Sequence, residues 1–141
     1  MKRVVTLTLA LVIALPCGLC APALAAVYSS PTIAMSSATL NKGNKSGQLK
    51  INYSVTSNVQ SSSRGVETIE LYKMNGEHVA TVTGTTENGL VKDSNGVLHM
   101  GTYCYDDAES GKYYYAEVTV FAIIDGEYDS YTHLTSTIKA P

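Results

Sequence analysis

The side chains with the clearest capacity for recognition are aromatic. The 141 residues include ten tyrosines, one phenylalanine and no tryptophan. Tyr103, Tyr105, Tyr113, Tyr115 and Phe121 share one phase of two alternating segments. Smoother apolar residues occupy the opposite phase, so these five rings are expected to face solvent. Lying on neighbouring strands, they would form a strip able to stack on sugar rings or to anchor a protein interface. The plainer reading is that tyrosine favours strands and supports cross-strand pairs.

The remaining polar groups suggest little chemistry. Asp106, Asp107 and Glu109 form one acidic cluster, and Asp125, Glu127 and Asp129 another. Calcium takes oxygen ligands from such loops, and Asp93-Ser94-Asn95-Gly96 begins like part of a calcium loop. The twelfth position counted from Asp93 is Cys104, where a glutamate ligand belongs, so these carboxylates read as solvated turn residues. His78, His99 and His133 lack the spacing of a zinc site. No nucleophile elbow is present. The expectation is therefore a non-enzymatic protein with no catalytic residue, metal or cofactor. Cys104 shares its phase with Leu98 and Met100 and is expected to be a small buried hydrophobe. If exposed instead, it would be available for an intermolecular disulfide.

The formal charge of −2 and a pI near 5.9 exclude the basic stripe of an electrostatic nucleic-acid binder. The length fits one domain. Met1-Lys2-Arg3, the apolar run Val4 to Leu15 and Ala23-Leu24-Ala25 have the order of a secretory signal peptide, predicted to span residues 1–25. Its apolar run of about twelve residues is shorter than the roughly twenty that span a bilayer. Pro16 before Cys17 and Leu19 before Cys20 do not fit a lipid-acceptor pattern. Cleavage would remove two of the ten bases and none of the twelve acids, leaving a charge of −4. Cys104 would then be the single cysteine, with no intramolecular disulfide possible. The expected product is a secreted, extracellular chain with no membrane span.

The elements that must position these residues are strands. After a flexible segment, residues 26–32, nearly every apolar stretch of residues 33–140 alternates with period two. Strands are predicted at Ile33 to Leu40, Gln48 to Thr56, Val66 to Met74, Val97 to Tyr105, Lys112 to Ile124 and Tyr128 to Ile138. A further strand follows Asn75-Gly76, where a two-residue turn would place Leu71 opposite Ala80 and Ile69 opposite Val82. Serine-rich Ser57 to Arg64 reads as a loop, and Leu90-Val91 as a short strand within a longer one. Leu98, Met100 and Cys104 are expected inward on their strand. Tyr114, Ala116, Val118, Val120 and Ala122 are expected inward on theirs. An odd-length loop at Asp125-Gly126 is expected, because it would turn Leu134 inward and His133 outward. About seven antiparallel strands point to an immunoglobulin-like β-sandwich, with a small β-barrel as the alternative.

Three stretches carry a resemblance: Ser110 to Ala122, with its run Lys112-Tyr113-Tyr114-Tyr115; the ending Thr135 to Ala140; and Ile69 to Gly76. Together they resemble small secreted β-sandwich proteins of Gram-positive, clostridia-like bacteria. That resemblance implies a signal peptide followed by one sandwich domain. It implies no assigned activity and no catalytic residues. The partner is expected to be an extracellular protein, reached through a sheet face, an edge strand or the acidic loops. A glycan or cell wall held by the tyrosine strip is the alternative.

Overall fold

The computed structural model describes residues 30–141. The expected signal peptide and residues 26–29 lie outside the described residues. Nine strands follow in order: β1 (Ile33–Lys42), β2 (Leu49–Ser61), β3 (Ser63–Lys73), β4 (His78–Thr83), β5 (Val91–Lys92), β6 (Gly96–Tyr105), β7 (Tyr113–Ile124), β8 (Glu127–Leu134) and β9 (Ile138–Lys139). Seven are long, and β5 and β9 are two-residue bridges. All pairings are antiparallel. One sheet has the order β1-β2-β6 and the other β4-β3-β7-β8, with β5 on β3 and β9 on β7. The sheets stack as an immunoglobulin-like sandwich in which the fourth strand pairs with the third. No barrel closes.

The core follows from alternation. Leu49, Ile51, Tyr53 and Val55 of β2 meet Ile69 and Leu71 of β3 and Tyr114, Ala116, Val118 and Val120 of β7. Tyr114, rather than Tyr113, is the inward member of the tyrosine run, and its hydroxyl accepts from the Glu109 N–H at 2.8 Å. That bond fixes the corner before β7 in the manner of a tyrosine corner.

Three expectations about turns are corrected. Ser57 to Arg64 is not a loop: it is the crossover that carries the chain from one sheet to the other. Four residues bulge between the pairs Thr56–Leu98 and Ser61–Gly96. Buried Ser57 and Ser61 satisfy carbonyls there, donating to Val59 O at 2.7 Å and Gly96 O at 3.0 Å. Polar residues at these positions serve the backbone, not the solvent. The β3–β4 hairpin is not a two-residue turn. Gly76 N–H donates to Lys73 O and Lys73 N–H to Glu77 O, giving a three-residue loop with Gly76 at φ +85°. A bulge beyond Tyr72–His78 restores the predicted pairs Leu71–Ala80 and Ile69–Val82.

The β7–β8 hairpin reverses the third expectation. Ile124 pairs with Glu127 across a plain two-residue loop, with Asp125 at φ +52° and Gly126 at φ +82°. These are the two left-handed positions of a type I′ turn, whose twist matches that of the strands. Val118 therefore faces His133, which is 3% exposed, while Leu134 is 69% exposed. His133 can lie in the core because its Nε2 shares a hydrogen bond of 2.9 Å with buried Ser36 Oγ, across the sandwich from β1.

Candidate functional site

The five rings read as one strip are split between the sheets. Tyr113, Tyr115 and Phe121 lie on the outer phase of β7, but Phe121, expected to face solvent, is buried because the Tyr128 ring stacks over it. Tyr103 and Tyr105 lie on β6, in the other sheet, and point inward against the core. Their partners explain this inversion. Leu49 pairs with Tyr105 and Ile51 with Tyr103, and directly opposed residues share a face. Burial, with Asp107 nearby, pushes the Tyr105 hydroxyl pKa up. Gly101 opposes Tyr53, and a Cβ there would lie 2.6 Å from the Tyr53 hydroxyl. The Tyr53 hydroxyl donates to Gly89 O at 2.8 Å and lies 3.2 Å from His99 Nε2. The same inversion overturns the expected burial of Leu98, Met100 and Cys104. Leu98 is 48% exposed, Met100 65% exposed, and Cys104 is a free, exposed thiol.

Registry between β3 and β7 builds a different aromatic group on the outer face of the four-stranded sheet. Tyr72 pairs with Tyr115 and His78. The Tyr72 and Tyr115 rings stack with centroids 5.2 Å apart, and His78 meets Tyr72 edge-on at 5.3 Å. In the next row, Glu70 lies between Thr81 and Glu117. Glu70 Oε2 is 2.6 Å from both Thr81 Oγ1 and His78 Nε2. The Thr81 hydroxyl, with His78 beside it, holds the Glu70 carboxyl below its ordinary pKa. At the other end of the face, Phe121 stacks on Tyr128 with centroids 5.9 Å apart.

Among the described residues, open grooves border this face, three of which matter here. One, of about 340 Å³, is lined by Tyr115, Glu117, Leu134, Thr135, Thr137 and Met74. It forms where the edge of the sheet breaks between β8 and β9. There Thr135 Oγ1 accepts the Ala116 N–H that strand pairing would otherwise satisfy. A second, of about 330 Å³, lies beside Tyr113, where Lys73 Nζ bridges Glu109 Oε1 at 2.6 Å and Glu77 Oε1 at 3.2 Å. The third, of about 400 Å³, is floored by Phe121 and Ile123.

Members of both acidic clusters are tied to local structure. Gln48 Nε2 donates to Asp106 Oδ1 at 2.7 Å, Glu109 pairs with Lys73, and Ser30 Oγ donates to Asp129. The three histidines sit apart, with Glu70, with Tyr53 and with Ser36 as respective neighbours. Among the described residues no cluster of three or more His, Cys, Asp or Glu side chains could hold a metal ion.

Tyr72, Glu70 and Tyr128 join the face without having been singled out in the sequence, and His78, weighed there only as a zinc ligand, joins them beside Tyr72. Their outward phase was readable, since Ile69 and Leu71 alternate with Glu70 and Tyr72. What strand alternation does not carry is that β3, not β6, lies beside β7. No protein-family model, curated protein or solved structure matches this chain.

Proposed function

We propose that the protein is a secreted, non-enzymatic interaction module, similar in kind to the small β-sandwich proteins of Gram-positive bacteria. It engages an extracellular protein partner through the outer face of the β4-β3-β7-β8 sheet. The observation that carries this reading is the exposure of large side chains on and around that face. Tyr128 is 52% exposed, Leu134 69% and Met74 69%, each beside an open groove. Solvent-facing positions of an antiparallel sheet are ordinarily polar, and grouped apolar exposure marks recognition surfaces. The basic start, apolar run and Ala23-Leu24-Ala25 support export.

A second reading, glycan or cell-wall binding, is favoured by the groove at Tyr115. It combines a ring with the carboxylate of Glu117 and the hydroxyls of Thr135 and Thr137, the group types that hold a sugar. One paired experiment separates the two. Lysine-directed cross-linking on producing cells should capture a protein joined through Lys73 or Lys112. A glycan array and cell-wall co-sedimentation should give no retention. Saturable wall or glycan binding that is lost in a folded Tyr72→Ala/Tyr115→Ala variant would replace the first reading by the second. Cross-links confined to Lys42 and Lys50, on the other sheet, would remove the face from the proposal.

A further inference from the structure

The third groove has a chemical character of its own. Its floor is Phe121, 8% exposed, with Ile123 beside it on β7, and Tyr128 of β8 forms one wall. The opposite wall is Val91, brought close by the β4–β5 connection. Gly65, paired with Phe121, permits that approach: a Cβ on it would lie 2.1 Å from Leu90 O. Two carboxylates stand at the rim. Tyr128 donates to Glu67 Oε2 at 2.7 Å, and Ser63 Oγ donates to Asp93 Oδ1 at 2.5 Å. Each hydroxyl orients a carboxylate and leaves its second oxygen available as an acceptor. Among the described residues no lysine or arginine pairs with either carboxylate. Arg64, at the same end of the sandwich, is buried and donates to Ser94 O instead. Asp125 and Glu127, exposed in the adjoining hairpin, add negative charge.

An apolar floor under an acidic rim whose two carboxylates form no ion pair, although exposed Lys92 adjoins Asp93, has a defined complement. A lysine or arginine can lay its methylene stem over the Phe121–Tyr128 rings and bring its head to the carboxylates. An apolar residue next to it can cover Ile123 and Val91. Anionic polymers and anionic lipid surfaces would be repelled by the same rim. We propose that this groove binds a basic segment of a protein partner, with a lysine or arginine held by Glu67 and Asp93 and a neighbouring apolar side chain on Phe121 and Ile123. The proposal rests on the protein-interaction reading and names the partner chemistry.

The test is an NMR titration of the full chain with two synthetic probes, acetyl-(Lys-Phe)₃-amide and acetyl-(Glu-Phe)₃-amide. The lysine peptide should shift the amides of Val91, Phe121, Ile123 and Tyr128 saturably. Its affinity should fall roughly tenfold in a Glu67→Gln/Asp93→Asn variant and should weaken with added salt. Both positions are exposed, so the variant is expected to remain folded, which its unperturbed spectrum elsewhere verifies. A Glu117→Gln variant, altered at the Tyr115 groove, should bind as the parent does. Equal binding of the glutamate peptide, shifts mapped to another surface, an unaffected double variant or no saturable binding would each overturn the proposal. If the lysine peptide fails while cross-linking still captures a protein on the outer face, this groove assignment falls and the interaction reading stands. If only glycan or wall binding is found, the interaction reading itself falls.

Discussion

His133 and Ser36 form a polar bridge inside an otherwise apolar sandwich, one from β8 and one from β1, and both are almost fully buried. Truncating the histidine leaves a buried hydroxyl without this partner and opens a cavity. His133→Ala should therefore cost about 2–4 kcal/mol, read as a lower urea midpoint at unchanged slope. A loss under about 1 kcal/mol would show that the bridge is energetically incidental. On the surface, Glu70 and Glu109 are held below their ordinary pKa, Glu70 mainly by the Thr81 hydroxyl and Glu109 by Lys73. The unfolded chain thus takes up these protons more readily than the native one. Their stabilisation is present above the ordinary carboxylate pKa of 4.5 and is lost as pH falls through the lower native values. Between about pH 5 and pH 2, Glu70→Gln should flatten the fall in melting temperature. Parallel parent and variant profiles would contradict this. The preference for His133 inward was not readable from hydropathy, because a buried imidazole depends on a hydroxyl supplied by a distant strand.

At the scale of elements, alternation located the strands well, and it chose the inward face correctly wherever a strand lies in the middle of its sheet. It failed on β6, an edge strand with aliphatic residues on one face and ring-bearing residues on the other. Pairing with β2 decided that contest in favour of His99, Tyr103 and Tyr105. Turn geometry made the other differences, since one residue more or less in a loop exchanges the faces of every following position. Gly126→Ala should cost about 1–2 kcal/mol, because an alanine at φ +82° is strained. The register should survive, seen as a retained cross-strand contact between Val118 and His133 in NMR spectra. Gly65→Ala is expected to be harsher, at about 3 kcal/mol or more. It combines φ +148° with a clash against the Leu90 backbone. Limited proteolysis between β4 and β6 should then accelerate, and an unchanged cleavage rate would show that this packing yields easily.

For the whole molecule, the sandwich class was legible from the period of the pattern and the spacing of turns, whereas the surface that the sheets create was not. That surface depends on strand order: β3 and β7 meet, so Tyr72 joins Tyr115, while β6 carries Tyr103 and Tyr105 away to the other sheet. The proposed export would be a whole-chain property as well. N-terminal sequencing of protein recovered from culture medium should begin at Ala26. An intact Met1 on the recovered chain would sink the signal-peptide assignment. The β3–β7 pairing has one more consequence, in the time domain. The β3–β4 and β7–β8 hairpins close over turns of two or three residues and can form within about 1–10 μs. Ile69 and Val118, which face each other across the centre of the larger sheet, must find one another across almost half the described chain. That search should govern the rate, placing folding in the millisecond-to-second range typical of all-β sandwiches. Val118→Ala should then slow folding markedly, while Ala38→Gly, on the edge strand β1, should act mainly by hastening unfolding.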